Sequence, residues 1–126
     1  MKIILVDAWK TFILPDGIFI EMYEMLEEFK EKKVVVTNAN KEEQIVFGMN
    51  DIPYEIFSLS HNPEKNDPNY FKKFTDLYNV NFDELIYFEH NICAVNTAKK
   101  IGIKTFHYDK KSSLIELKHF IINNLN

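Results

Sequence analysis

No arginine occurs in this chain of 126 residues; all 15 basic residues are lysines, set against 19 acids for a net charge of −4. Without the planar guanidinium fork, bidentate clamping of phosphate or carboxylate is closed to it. The lysines are interleaved with acids along the chain, which argues against a dedicated nucleic-acid surface. Cysteine is almost absent too. Cys93 stands alone, which excludes an intrachain disulfide and fits a reducing compartment. There is no long hydrophobic run. The opening Lys2-Ile3-Ile4-Leu5-Val6 is cut off by Asp7, too short for a signal core or a membrane span. The expected location is the cytoplasm, with no membrane contact. Repeats, low-complexity tracts and linkers are missing, so residues 1–126 read as a single α/β domain.

What the chain does have is apolar and aromatic residues, 46% and 14% respectively, enough for a core rich in Phe and Tyr. Ile3 to Val6, Val34 to Thr37 and Leu85 to Phe88 are short continuous apolar runs, the pattern of strands buried on both faces. Tyr54 to Leu59 and Lys104 to Tyr108 add two weaker strands. Pro15-Asp16-Gly17 between apolar pairs predicts a turn or small hairpin. Phe19, Met22, Leu26 and Phe29 recur at helical spacing. Asn40 with Glu43 predicts a capping box, with Gly48 at that helix's end. Asp67-Pro68 predicts a helix start, and Tyr70, Phe71, Phe74 and Leu77 its apolar face. Ala94, Ala98 and Ile101 give the next helix a narrow face closed by Gly102. Ser113 with Glu116 caps a last helix carrying Leu114, Leu117, Ile121 and Leu125. Strand and helix thus alternate about five times with short connections, which predicts a parallel sheet with helices on both faces.

In such a sheet ligands bind beyond the carboxyl ends of the strands. Asp7 ends the first strand, Thr37 the second, Glu89 and His90 the fourth. Lys65 lies in the loop after the third, just before the Asp67 cap. A carboxylate, a hydroxyl, an ammonium and a second acid or imidazole on one edge suit a phosphate or another anion. Cys93, on the following helix, reads as a packing residue. His61, His107 and His119 show no convergent partners.

These strand ends resemble, in order, four motifs of the haloacid-dehalogenase-like (HAD) superfamily. They are Val6-Asp7-Ala8-Trp9-Lys10-Thr11, Val34-Val35-Val36-Thr37-Asn38, Lys65-Asn66-Asp67-Pro68, and Ile86-Tyr87-Phe88-Glu89-His90 followed by Ala98 to Thr105. The resemblance implies a three-layer Rossmann-like fold of about five parallel strands, with residues 8–18 as a tight helical turn and flap. It implies that Asp7 is a nucleophile forming a covalent ester. Thr37, Asn38 and Lys65 would hold phosphate, with Lys65 also acting catalytically. Mg²⁺ would sit on Asp7, the main-chain carbonyl of Trp9, and Glu89 or His90.

Two departures qualify that picture. The family's phosphatases carry a second Asp two residues after the nucleophile as general acid and base; here Trp9 stands there, and indole has no proton to give near neutral pH. His90 stands where the family has its metal-binding Asp, and imidazole is a poor ligand for Mg²⁺. Neither gap between motifs has room for a cap domain. Capless members act on large substrates or close their sites by oligomerising, so a homodimer and a small or macromolecular phosphate are the expected partners. The expectation is therefore a HAD-like hydrolase, a phosphatase or phosphotransferase working through Asp7 on a good leaving group such as an acyl phosphate. The alternative is a catalytically inactive anion-binding or protein-interaction module of the same fold.

Overall fold

The computed structural model describes residues 1–125. In chain order it contains β1 (Ile3–Asp7), a small hairpin of β2 (Ile13–Leu14) and β3 (Gly17–Ile18), α1 (Ile20–Leu26), β4 (Lys32–Thr37) and α2 (Lys41–Val46). There follow β5 (Glu55–Ser58), α3 (Pro68–Tyr78), β6 (Leu85–Glu89), α4 (Ile92–Lys100), β7 (Lys104–His107) and α5 (Leu114–Leu125). Five strands form one parallel sheet in the order β5-β4-β1-β6-β7. The chain starts at the centre, winds outward through β4 and β5, then crosses back to β6 and β7. The winding reverses at β1, so the carboxyl end of β1 is the switch point at which open α/β sheets place their ligands.

Successive side chains of a strand point to opposite faces, and both faces of this sheet are covered. Ile4, Val6, Val35, Ile86 and Phe88 pack with Met22 and Leu26 of α1 and with Leu117 and Ile121 of α5. Ile3, Leu5, Val34, Val36 and Tyr87 pack with Tyr70, Phe71 and Phe74 of α3 and with Ala98 of α4. This two-sided burial explains why the central strands are continuous apolar runs and not alternating ones.

The helix starts follow the expected caps. Asn40 and Glu43 exchange both capping-box bonds at 2.9 Å. Asp67 accepts from Asn69 N–H with Pro68 in the first turn. Asn91 caps α4 through Cys93 and Ala94 N–H, a cap that was not anticipated. Two bounds shift. α1 ends at Leu26, and Phe29 reaches the core from a turn in which Glu28 and Phe29 N–H bond back three residues to Met25 and Leu26. That tightening brings the chain round in time to start β4 at Lys32. Tyr108 lies one residue beyond β7, although its N–H still bonds to the Glu89 carbonyl.

Between β1 and β4 the chain holds only the hairpin and α1. Between β4 and β5 it holds α2 and a single 3₁₀ turn, Met49–Asp51. α2 buries none of its own residues and leaves Ile45 and Val46 exposed. Among the described residues no helix is long and apolar enough to cross a membrane.

Candidate functional site

Strand register brings the expected residues to one edge. Asp7 lies beside Val36, the residue before Thr37, and one step past the Val6–Phe88 pair, which sets it next to Glu89. Beyond β1 the chain turns back at once: Phe12 N–H bonds to the Asp7 carbonyl and Ile13 N–H to that of Ala8. This tight turn followed by the β2–β3 hairpin is the turn and flap expected of residues 8–18. It swings Thr11 under Asp7, whose Oδ2 accepts from Thr11 Oγ1 at 2.7 Å.

Lys65 comes from the loop before α3 and is held there by Asn38, whose Oδ1 accepts the Lys65 backbone N–H at 2.7 Å. Its side chain is 8% exposed and donates to Asp7 Oδ1 at 2.9 Å and to Glu89 Oε1 at 2.7 Å. His90 donates to Asp7 Oδ2 twice, through its backbone N–H at 3.1 Å and through Nδ1. A carboxylate can only accept, so Nδ1 carries a proton. Glu89 is completed by the Tyr87 hydroxyl on Oε1 and by Asn91 N–H on Oε2 at 3.1 Å. Among the described residues, no buried side-chain polar atom lacks a partner.

The electrostatics follow from this packing. Burial pushes the Asp7 carboxyl up, but the Lys65 ammonium and the hydrogen bond and charge of His90 outweigh it and hold the group well below the usual carboxylate range. Glu89 goes the other way. Burial and the neighbouring Asp7 charge raise it to about 7 against the pull of Lys65. Burial alone would lower the Lys65 ammonium, yet its two carboxylates leave it raised. The hydrogen bond to Asp7 raises His90, against a smaller opposing effect of burial.

These groups form the floor of a pocket of about 380 Å³. Thr37 Oγ1 accepts Ala39 N–H at 3.1 Å, which leaves its hydroxyl proton to donate. The Thr37 backbone is pinned by Tyr70, whose hydroxyl lies 3.0 Å from Thr37 N and 2.9 Å from the Thr37 and Phe57 carbonyl oxygens. Trp9 lines the wall, stacked on Phe47 with ring centroids 4.6 Å apart. At the rim His61 bridges two elements, with Nε2 2.6 Å from Glu43 and Nδ1 2.6 Å from Glu64.

Asp7, Thr37, Asn38, Lys65, Glu89, His90 and Trp9 therefore all meet in this pocket, as the sequence led us to expect. Cys93 corrects the expectation of a packing residue. It is exposed and lines the pocket, because α4 turns Ala94, Val95 and Ala98 inward instead. The expectation that His61 and His107 lack partners is also corrected. His61 holds two carboxylates, and His107 Nε2 donates to the His90 carbonyl at 2.9 Å. Thr11, Tyr70 and Tyr87 complete the site and were not anticipated. Thr11 had a readable signal, since it closes the first motif; the two tyrosines look like core aromatics until their hydroxyl partners are seen.

Asp7, Glu89 and His90 offer ligand atoms within 4.8 Å of one another, compact enough to share one ion. They do not fit Mg²⁺. That ion needs hard oxygen donors in near-octahedral array, whereas one of the three groups is an imidazole. Each oxygen of the two carboxylates also already accepts a hydrogen bond.

No protein-family model matches the chain, and no curated protein matches it. Solved structures do. The core domain of a candidate phosphoglycolate phosphatase from Streptococcus pneumoniae TIGR4 superposes with a TM-score of 0.68 at 15% identity, covering 97% of this chain and 96% of that one. A HAD-family enzyme from Bacteroides thetaiotaomicron, in complex with magnesium and inorganic phosphate, gives 0.64 at 18% identity over 89% of this chain and 59% of that one. A dehalogenase with an intermediate complex gives 0.65 at 20% identity over 82% and 54%. This chain thus spans little more than half the length of the latter two. Its fold is that of the HAD-like core, a Rossmann-like sheet between two helical layers.

Proposed function

We propose that the chain is a capless HAD-like hydrolase that forms an ester on Asp7 with a phosphoryl group or a related electrophile. One observation carries this reading: a buried carboxylate, held ionised, ends the central strand at the floor of an open pocket and is met there by a buried lysine. An Asp7 oxygen attacks phosphorus, the bond from phosphorus to the leaving oxygen breaks, and that oxygen departs with the electron pair. Water then cleaves the ester. Lys65 sits against the charge that develops, as a preorganised donor. The Thr37 hydroxyl and the Asn38 amide NH₂ face the anion. Nothing at position 9 protonates the leaving group, so the substrate is an acyl or aryl phosphate, or an ester equally easy to expel.

A second reading rests on its own observation. Thr11, Lys65 and two donors of His90 all converge on Asp7, leaving its lone pairs engaged. A carboxylate held this firmly suits a non-catalytic module that binds anions or a protein partner. Turnover of acetyl phosphate and p-nitrophenyl phosphate, assayed in chelator and with added Mg²⁺ or Mn²⁺, separates the two. Hydrolysis abolished by Asp7→Asn, with phosphate trapped on Asp7 by rapid quench, supports the hydrolase. The same activity in Asp7→Asn, or none in the unaltered chain under any condition, leaves the module.

A further inference from the structure

The pocket floor holds four charged side chains arranged as an alternating chain. Lys65 bridges Asp7 Oδ1 and Glu89 Oε1 at 2.9 and 2.7 Å. His90 Nδ1 contacts the other oxygen of Asp7 and lies 3.4 Å from the second oxygen of Glu89. The two carboxylates thus face an ammonium on one side and an imidazole ring on the other. Both carboxylates are buried, while the His90 ring is 36% exposed and opens into the pocket.

Its placement is not left to chance. The His90 backbone N–H is fixed on Asp7 Oδ2, and the His90 carbonyl accepts from His107 Nε2. With both ends of the peptide held, the His90 main chain is fixed beside Asp7, and the ring meets Asp7 Oδ2 through Nδ1. A divalent cation entering between Asp7 and Glu89 would have to displace the proton that His90 Nδ1 presents to Asp7. It would also have to displace donors that already occupy both oxygens of each carboxylate.

We propose that this centre takes up no divalent cation: every oxygen of Asp7 and Glu89 is already held by a donor of the chain, and the His90 ring, with Nδ1 on Asp7, fills the place where a hard oxygen ligand would be needed. The site is then metal-independent, and the Lys65 ammonium is the positive charge it presents to an incoming anion. The inference concerns the donor set of the floor alone. It goes beyond the hydrolase reading and stands or falls whether or not Asp7 turns over.

The test is metal uptake by the full chain, with MgCl₂ and MnCl₂ as the probes. Calorimetric titration of the unaltered chain should give no binding heat. Mn²⁺ should leave the amide resonances of Thr11 and His90 unbroadened. The His90 ring-nitrogen signals should not change on adding Mg²⁺. His90→Asp supplies a hard oxygen donor in place of the imidazole, so it should gain Mg²⁺ affinity of tenfold or more over the unaltered chain. Saturable uptake of either ion by the unaltered chain, with His90 ring signals that shift or broaden, overturns the proposal. So does a folded His90→Asp chain that gains no affinity. If that variant does not fold, the manganese broadening and the ring-nitrogen spectrum of the unaltered chain still decide the matter.

Discussion

Replacing Lys65 by methionine keeps the volume of the side chain and removes its charge. It leaves Asp7 and Glu89 buried side by side, 1% and 0% exposed, with no ammonium between them. Removing one partner of a buried ion pair costs about 3–5 kcal/mol. With a urea slope of roughly 2 kcal/mol/M for a domain of this size, the unfolding midpoint should fall by about 2 M. The cost depends on pH in a defined direction. Glu89 has a folded pKa of about 7 against an ordinary 4.5, so protonation favours the folded state. Its stabilising contribution is fully present below 4.5 and is lost as pH rises through 7. Without Lys65, which opposes that rise, Glu89 holds its proton still longer. The Lys65→Met deficit should therefore be smaller near pH 5, where only Asp7 is left charged beside it, and grow towards pH 8 and beyond. Neutralising the neighbour should repair it, so Asp7→Asn/Lys65→Met should be more stable than Lys65→Met alone. Urea unfolding of the four chains of that cycle in chelator, followed by far-UV circular dichroism, reads all of this. A Lys65→Met chain within about 1 kcal/mol of the original at pH 8 would refute the reasoning, as would a double variant no more stable than the single one.

Three further outcomes are expected. Tyr70→Phe leaves the buried Thr37 N–H without its acceptor and should cost about 1–3 kcal/mol in urea unfolding; a smaller loss would mean that Thr37 is held by other contacts. His61 has its pKa raised by its hydrogen bonds to Glu64 and Glu43, so the clasp it forms is complete below its ordinary pKa and is lost as pH rises through the raised one. Because α2 buries no residue of its own, hydrogen exchange of its amides, corrected for intrinsic pH dependence, should quicken on going from about pH 6 to about pH 9; unchanged protection would show that His61 does not tether it. Finally, Trp9→Asp supplies the missing proton donor and should raise turnover of alkyl phosphates relative to aryl phosphates by up to about 10²–10⁴-fold, with no change in that ratio counting against a leaving-group limit set at position 9.

The parts of this molecule that were legible in the sequence are those fixed by local chemistry. β1, β4 and β6 are buried on both faces, so their apolar runs had no competing explanation. The Asn40–Glu43 box and Asp67-Pro68 are self-contained cap signals. β5 was harder to read because it is an edge strand whose Glu55 faces solvent. The end of α1 depended on how far the chain had to travel to reach β4, which no window around Phe29 contains.

The site divides along a different line. Asp7, Thr37 and Glu89 were legible because they end strands, and parallel strands in register carry their ends to one edge whatever lies between them. Lys65 ends nothing. It meets Asp7 across 58 positions from a loop that Asn38 grips by its backbone, and its signals were its place after the third strand, just before the Asp67 cap, and the resemblance to a known motif order. His61 illustrates what neither route can reach. Its partners come from the first turn of α2 and from the loop before α3, and Glu43 already had a sufficient explanation as a capping residue. One Glu43 oxygen accepts both Asn40 N–H and His61 Nε2. Since a carboxylate oxygen offers two lone pairs, a satisfied local motif never excludes a second, distant partner. The same argument bears on Asp7. Its Oδ2 accepts from Thr11 and twice from His90, more than its two lone pairs can serve at full strength, so removing any one of the three donors should leave the other two better placed.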